Sequence, residues 1–333
     1  MNPDRPLDGA AAEETRRKFL VRIVGAAAAS ALLAKTSFAV SEPRKDTRAP
    51  STAKSRVVHV QDPRIIPDRV VQRGFLRSYL QDGLVALGGA SSFDRALHAI
   101  FKQDDVILFK FNKSASAKLG TSEAMSTVLV DLFVRAGYSP EKFIILEGGN
   151  LGEYSGKTAK PDMRWQGKYV DFGRSGKDQF IAALDQATAI VNVPFLKTHH
   201  LATMTCCLKN LSHGLIRHPA RFHGNGCDPA IGEIVSSKSI QGKLKLNIVN
   251  GLRSVFNGAA DARESDISDG GDLLLSRDPV AADSVGFTVL NKIRLGRGQK
   301  PLLTGNQLPR QLLTASSLGV GQYDESQITL ESL

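Results

Sequence analysis

Residues Ile190 to Cys227 read IVNVPFLKTHHLATMTCCLKNLSHGLIRHPARFHGNGC. Five of the chain's 7 His (His199, His200, His213, His218, His223) and all 3 Cys (Cys206, Cys207, Cys227) fall inside this stretch, with Lys197 and Lys209 among them. It opens on an apolar run, Ala189 to Phe195, rich in Val and Ile and stopped by Pro194. Such a run reads as a buried strand of a parallel sheet. Polar groups begin where that strand is expected to end. In an open α/β sheet the binding crevice lies outside the carboxyl ends of the strands, so Lys197, His199 and His200 are candidates by position alone. A set of satisfied structural histidines is the competing reading; convergence of amines and imidazoles at a strand end favours a reactive site.

Working outward, the same alternation recurs. Val106 to Phe111 reads as a buried strand, Ser122 to Ala136 as an amphipathic helix closed by Gly137, and Phe143 to Leu146 as the next strand. A helix over Lys177 to Leu184 then leads into the strand of the quoted stretch. Strand, helix, strand, helix, strand predicts an α/β fold with a mostly parallel sheet of βαβ units, in one body or two lobes. Further on come a helix near Pro229 to Ser236, a strand Lys245 to Val249 followed by a glycine-rich loop, and a strand Asp272 to Leu275. A helix from Asp278 opens on an N-cap followed by Pro279, and a last helix and a short strand near Ile328 close the chain.

Each early strand ends in polar residues. The first supplies Lys110, Asn112 and Lys113, the second Glu147 and Asn150 around two glycines, the third Lys197 to His200. If the strands are neighbours, these face one crevice, with Lys110, Asn112, Glu147, Asn150 and Asn210 as ligand-binding residues. Leu201, Met204, Leu208 and Leu211 recur at helical spacing, which predicts a helix from about Ala202 with Lys209 at the border of its buried stripe, turned inward toward His199. Lys197, His199, Lys209 and His223 are the catalytic candidates: Lys197, with Lys110, for an anion, His199 or His223 for proton exchange near neutral pH, and Lys209 to anchor a cofactor or the substrate. His199 and His223 are also the expected ligands of at most one divalent transition metal.

The N-terminus carries its own message. Arg16-Arg17-Lys18-Phe19-Leu20, a mild Ala-rich run to Ala34 and Ser37-Phe38-Ala39 read as a charged region, an apolar region and a small-residue cleavage site. The paired Arg points to a twin-arginine signal over residues 1–39, hence to the twin-arginine export machinery as partner and a periplasmic or otherwise exported protein. The apolar run is too short and too flanked by charge for a stable membrane span. Residues 40–55 are polar and aperiodic, an expected disordered linker before a domain over 56–333. The 333-residue chain has a net charge of +10. Removing residues 1–39 takes six of its 43 basic and four of its 33 acidic residues, so the remainder stays basic. Aromatics at 6% and no Lys/Arg stripe interleaved with them argue for a small anionic ligand and against nucleic acid. Three Cys are too few for an iron–sulfur cluster held by four thiolates. They pack as free thiols, or Cys206 or Cys207 bridges Cys227.

FKFN (Phe109 to Asn112), NVPFLKTH followed by TCCLKNLSHG (Asn192 to His199, Thr205 to Gly214), the later His223, SRDPVAADSVG (Ser276 to Gly286) and SLGVGQYDESQI (Ser317 to Ile328) together resemble the domain of unknown function 362 family, over about Val106 to Leu330. The resemblance implies an α/β protein of largely unassigned role; the ferredoxin-like Cys clusters of some relatives are absent, and Asn250-Gly251 stands where relatives tend to have Asp-Gly. The order His199, Lys209, His223 is similar, more distantly, to the nickel-pincer lactate racemase family, in which a Lys holds the pincer nucleotide and His residues ligate nickel or move the substrate proton. Here Cys207-Leu208 replaces the Gly-Gly before that Lys. The reading that results is an exported enzyme acting on a small anionic substrate with a metal or covalent cofactor at a Lys/His crevice. Its rivals are a binding protein for an anionic ligand or metal, without turnover, and an interaction module using Arg217 and Arg221.

Overall fold

The computed structural model describes residues 54–333. The expected signal peptide and residues 40–53 of the expected linker lie outside them. The chain forms β1 (Ser55–Gln61), α1 (Arg73–Gly88), α2 (Phe93–Ile100), β2 (Ile107–Lys110), α3 (Ser122–Arg135) and β3 (Phe143–Leu146). A two-stranded hairpin of β4 (Val170–Asp171) and β5 (Lys177–Asp178) follows, then β6 (Ala189–Asn192), β7 (Phe195–His199), β8 (Thr203–Thr205), α4 (Cys207–His213) and α5 (Ala230–Val235). The last part is β9 (Leu244–Val255), β10 (Ile267–Ser268), β11 (Asp272–Ser276), α6 (Pro279–Gly296), α7 (Arg310–Ser317) and β12 (Ile328–Ser332).

The large sheet runs β12-β1-β11-β9-β6-β2-β3. Its centre, β9-β6-β2-β3, is parallel throughout, and so is the edge pair β12-β1; β11 joins the two blocks antiparallel to both neighbours. This is an α/β fold with a mostly parallel central sheet, and its described residues fall in one unit, not two lobes. Side chains alternate across the sheet with period two, which sorts them into two cores. Ile107, Phe109 and Val191 point to the face covered by α1, α2 and α3, where Leu76, Leu80, Leu84, Leu97, Val128 and Leu132 are buried. Leu108 and Ile190 point to the opposite face, against Leu208 and Leu211 of α4, Ile231 and Ile234 of α5 and Leu312 of α7.

The helices start and stop for local reasons. Ser92 caps α2 by accepting the Arg95 N–H, and α3 gives way at Ala136 to Gly137 at φ 91°. Asp278 caps α6 by accepting the N–H groups of Val280 and Ala281 ahead of Pro279. The same carboxylate accepts from the Ser55 hydroxyl at 2.5 Å and from the Gln322 N–H, so Ser55 begins a strand and is not linker.

Four expectations need correction. The run Ala189 to Phe195 is not one strand: β6 ends at Asn192, the chain bends through Val193-Pro194, and β7 carries on beside the second half of β9. Lys177 to Leu184 is largely extended, with one helical turn at Ala183–Gln186. The segment from Ala202 is not helical until Cys207. Thr203 to Thr205 pairs antiparallel with Lys197 to His199, and Leu201 lies exposed at the turn. Finally, β9 does not stop at Val249 but continues through Asn250-Gly251 to Val255. Gly251 is opposite Asp272, where a Cβ would come within 3.0 Å of the Asp272 carbonyl oxygen, so here glycine permits strand pairing instead of ending it.

Candidate functional site

Chain order and sheet order diverge at one place. From β2 the chain crosses to β3 on one side, then returns to β6 on the other, which puts the topological switch between the carboxyl ends of β2 and β6. Lys110 ends β2 and Asn192 ends β6, side by side in register. Over them lies α4, whose Lys209 and Asn210 are both buried. The loop Asn112 to Ser114 and the hairpin β7-β8 close the flank, with the Lys197 amine 3.3 Å from the Ser114 hydroxyl.

Two arrangements occupy this crevice. The first is a closed polar network. The Lys110 amine donates to the Phe111 carbonyl at 2.5 Å, to Glu147 Oε2 at 2.9 Å and to Asn210 Oδ1 at 3.3 Å. Asn210 donates back to the Lys110 carbonyl and to Asn192 Oδ1, Asn192 donates to Asn247 Oδ1, and Asn247 reaches the Ser276 carbonyl. Burial pushes the Lys110 amine below its ordinary range and the Glu147 carboxylate opposes that shift. With three protein acceptors already on its amine, Lys110 serves as a strut of the strand ends and not as a free anion receptor. Glu147 holds the left-handed φ of 63° while accepting from Lys110 and from the Lys113 N–H, so the turn is bent for the ion pair, not for a ligand approaching the glycines. Asn150 is likewise spent on its loop, its Oδ1 accepting from the Gly152 N–H and the Ser155 hydroxyl. Asn112 is buried at the end of β2.

The second arrangement brings together Lys197, His199, Lys209 and His223. The Lys209 amine is 3.4 Å from His223 Nε2, and the His199 and His223 rings stack with centroids 5.8 Å apart. Burial lowers both amines, Lys197 to about 8 and Lys209 to about 8, the latter also repelled by Lys197. Among the described residues neither amine has a carboxylate within 4.0 Å. A buried cation without a counter-ion is costly, and an anion or a lost proton relieves it.

The two imidazoles hold opposite tautomers. His199 Nδ1 accepts from the backbone N–H groups of Leu201 and Ala202, so in the neutral ring the proton sits on Nε2. Burial first, then the charges of Lys209 and Lys197, hold His199 down to about 3, so it stays neutral and presents a donor. That removes it as a general base and leaves no free lone pair for a metal. His223 Nδ1 lies 3.0 Å from the Pro219 carbonyl, which can only accept, and this leaves the Nε2 lone pair facing Lys209. Burial and Lys209 lower His223 as well.

The other cluster members divide. His200 is exposed, and His218 pairs with Asp178 at 2.9 Å. Arg217 and Arg221 donate to Gln179 and to the Lys177 carbonyl. All three Cys are free and buried. Cys206 and Cys207 lie beside Asp283, whose oxygens accept the N–H groups of Cys207 and Leu208 and so cap the first turn of α4. Sequence reasoning missed Ser114, His213 and Cys227 as site residues; the last two stand around His223 and were visible only as members of the His/Cys cluster. A surface hollow of about 530 Å³ lined by Asp162, Arg164, Trp165 and Gln186 holds none of these groups.

A family model described as Domain of unknown function (DUF362) matches residues 158–288. The match is narrower than the resemblance read from the sequence: it takes in β6 to α4 and the start of α6, and leaves Lys110, Glu147 and the closing SLGVGQYDESQI outside. No curated protein matches the chain.

Proposed function

We propose that this chain is an exported enzyme that binds a small anionic carbonyl compound and attaches it covalently to Lys209. The observation that carries the reading is the pair of buried amines with no carboxylate partner among the described residues, one of them in contact with the lone pair of His223. Lys197, at the Ser114 edge, takes the substrate's carboxylate. The Lys209 nitrogen attacks the carbonyl carbon, His223 Nε2 accepts the proton that the amine loses, and the His199 Nε2–H donates to the oxygen as charge develops on it. The C–N bond forms, His223 hands the proton on to the oxygen, the second N–H proton follows by the same route as the C–O bond breaks and water leaves, and an imine joins substrate to Lys209. A Lys that anchors a ligand is also what the distant likeness to the nickel-pincer racemases suggests, and export through a twin-arginine route fits the Arg16-Arg17 motif.

The test is reductive trapping. The protein, purified from its own cell envelope, is incubated with pyruvate and cyanoborohydride and its intact mass measured. One adduct mapped to Lys209 and absent from Lys209→Arg is the expected result. No adduct, or one that persists in Lys209→Arg, overturns the covalent reading. Saturable binding of pyruvate without an adduct would assign the crevice to a binding protein, since two buried amines are also what a non-reacting anion would neutralise.

A further inference from the structure

We propose that His213, His223 and Cys227 bind one divalent transition-metal ion of the borderline-soft class, zinc being the type, next to Lys209. One ligand atom from each lies within 4.8 Å of the other two. Donors around a tetrahedral zinc at about 2.0–2.3 Å are themselves about 3.5 Å apart, so side-chain shifts of about 1 Å close the site. The donor set is two imidazoles and a thiolate, which suits zinc and its neighbours and not magnesium or calcium, whose ligands are oxygens. This deepens the reading above, which rests on the same His223, by changing how the reactive amine is made neutral: a bound ion takes the His223 Nε2 lone pair, so in the loaded state the ion's charge, and not His223 as a base, keeps Lys209 deprotonated.

Three features outside the donors support it. His223 Nδ1 is fixed by the Pro219 carbonyl, and His213 Nδ1 lies 3.0 Å from the Ser212 hydroxyl, which itself donates to the Lys209 carbonyl. The Pro219 carbonyl can only accept, so His223 carries its proton on Nδ1 and turns its Nε2 lone pair toward the cluster, the outer hydrogen bonding that metal-bound His characteristically show. His213 Nε2 is 3.3 Å from the Phe222 carbonyl and donates to it in the metal-free chain; binding an ion at Nε2 would move the ring proton to Nδ1, where the Ser212 hydroxyl can accept it. The backbone at Asn225, Gly226 and Cys227 is left-handed at φ 50°, 70° and 66°, a strained conformation for the two non-glycine residues, in the turn that sets Cys227 within ligand distance of the two rings. The ligand set differs from the His199 and His223 pair expected from sequence, because His199 spends Nδ1 on the β7-β8 turn. Three protein ligands leave a fourth position for water or substrate.

The full chain, stripped with a chelator under reducing conditions, is titrated with cobalt(II) as a spectroscopic stand-in. One equivalent is expected, with a thiolate-to-cobalt charge-transfer band that Cys227→Ser abolishes; His213→Gln should weaken binding by more than about tenfold. Circular dichroism checks that each variant folds, and Cys227→Ala reads the same band if Cys227→Ser does not. Lys209→Met should keep the band while losing the trapped adduct, so failure of the metal site and failure of the imine are told apart. No band in the parent chain overturns the proposal, and so does a band that survives Cys227→Ser or moves with Cys207→Ser to the second thiol cluster.

Discussion

The Lys110 amine, with 1% of its side chain exposed, is paired at 2.9 Å with a Glu147 carboxylate that is 33% exposed. One partner is dry and the other wet, so the pair is asymmetric: removing the carboxylate strands a buried cation, while removing the amine leaves a carboxylate that water can reach. Glu147→Gln should therefore cost about 1–3 kcal/mol in urea unfolding. Lys110→Met in the Glu147→Gln background should recover part of that loss, and a double variant weaker than Glu147→Gln alone would contradict this reading.

Lys197 is buried with no carboxylate partner among the described residues, so its charge opposes folding. Lys197→Met keeps the length of the side chain and deletes the charge. The variant is expected to be more stable by about 1–2 kcal/mol, a gain of the kind seen where function holds a destabilised group in place. It should also bind pyruvate more weakly, by calorimetry. A Lys197→Met chain less stable than its parent would mean that the amine is a structural donor to Ser114.

Asp131 ties α1 to α3 and to the loop after β3, accepting from Arg77, Arg135 and the Tyr154 hydroxyl. Burial alone would raise its carboxyl, but the Tyr154 and Arg135 hydrogen bonds outweigh it and the net shift is downward. A carboxylate lowered in the folded state stabilises above its unfolded value of about 3.9, and that contribution disappears as pH falls through the lower folded value. Asp131→Asn should thus be less stable than the parent at pH 7, with the gap narrowing as pH falls below the unfolded carboxyl value of about 3.9. Thermal melts from pH 7 to pH ~2.5 read this; a pH-independent gap would contradict it.

Gly214 follows α4 with no room for a side chain: a Cβ there would stand 2.5 Å from the Asn210 carbonyl oxygen and 2.7 Å from the Lys110 amine. Gly214→Ala should push Lys110 off Asn210 and cost about 1–3 kcal/mol, as overpacking does. Because Lys209 precedes Asn210 on the same turn, adduct formation should fall more steeply than stability, and unchanged trapping would separate the network from the site.

How much of this was readable in the chain depended on whether the determining contact was local. β3 was legible to the residue because four apolar residues lie between Pro140 and Gly148 and nothing distant redefines them. The helix at Asp278 was legible from its cap and Pro279. The false helix at Ala202 arose because Leu201, Met204, Leu208 and Leu211 keep helical spacing by coincidence, while Thr203 and Thr205, β-branched residues, pair with β7 and Thr203 turns left-handed at φ 67°. α1 went unread although Leu76, Leu80 and Leu84 are spaced by four, since Gly83 interrupts the pattern; its missing side chain lets Leu275 of β11 approach. Lys209 is buried as expected, but not beside the expected stripe: only Leu208 and Leu211 of that stripe share its helix. The engagement of Lys110 was not legible, because its partners Glu147 and Asn210 come from other elements, 37 and 100 residues away.

The pairing of β1 carries a kinetic consequence. Val57 and Val58 are fully buried, yet the partners of β1 are β11 and β12, more than two hundred residues downstream. Loop closure over such a distance must be met before any contact rewards it, so this edge of the sheet should form last and slowly. During synthesis the segment from Ser55 to Gln61 waits as an apolar strand with no neighbour, exposed to misassociation, until residues 272 to 332 have been made.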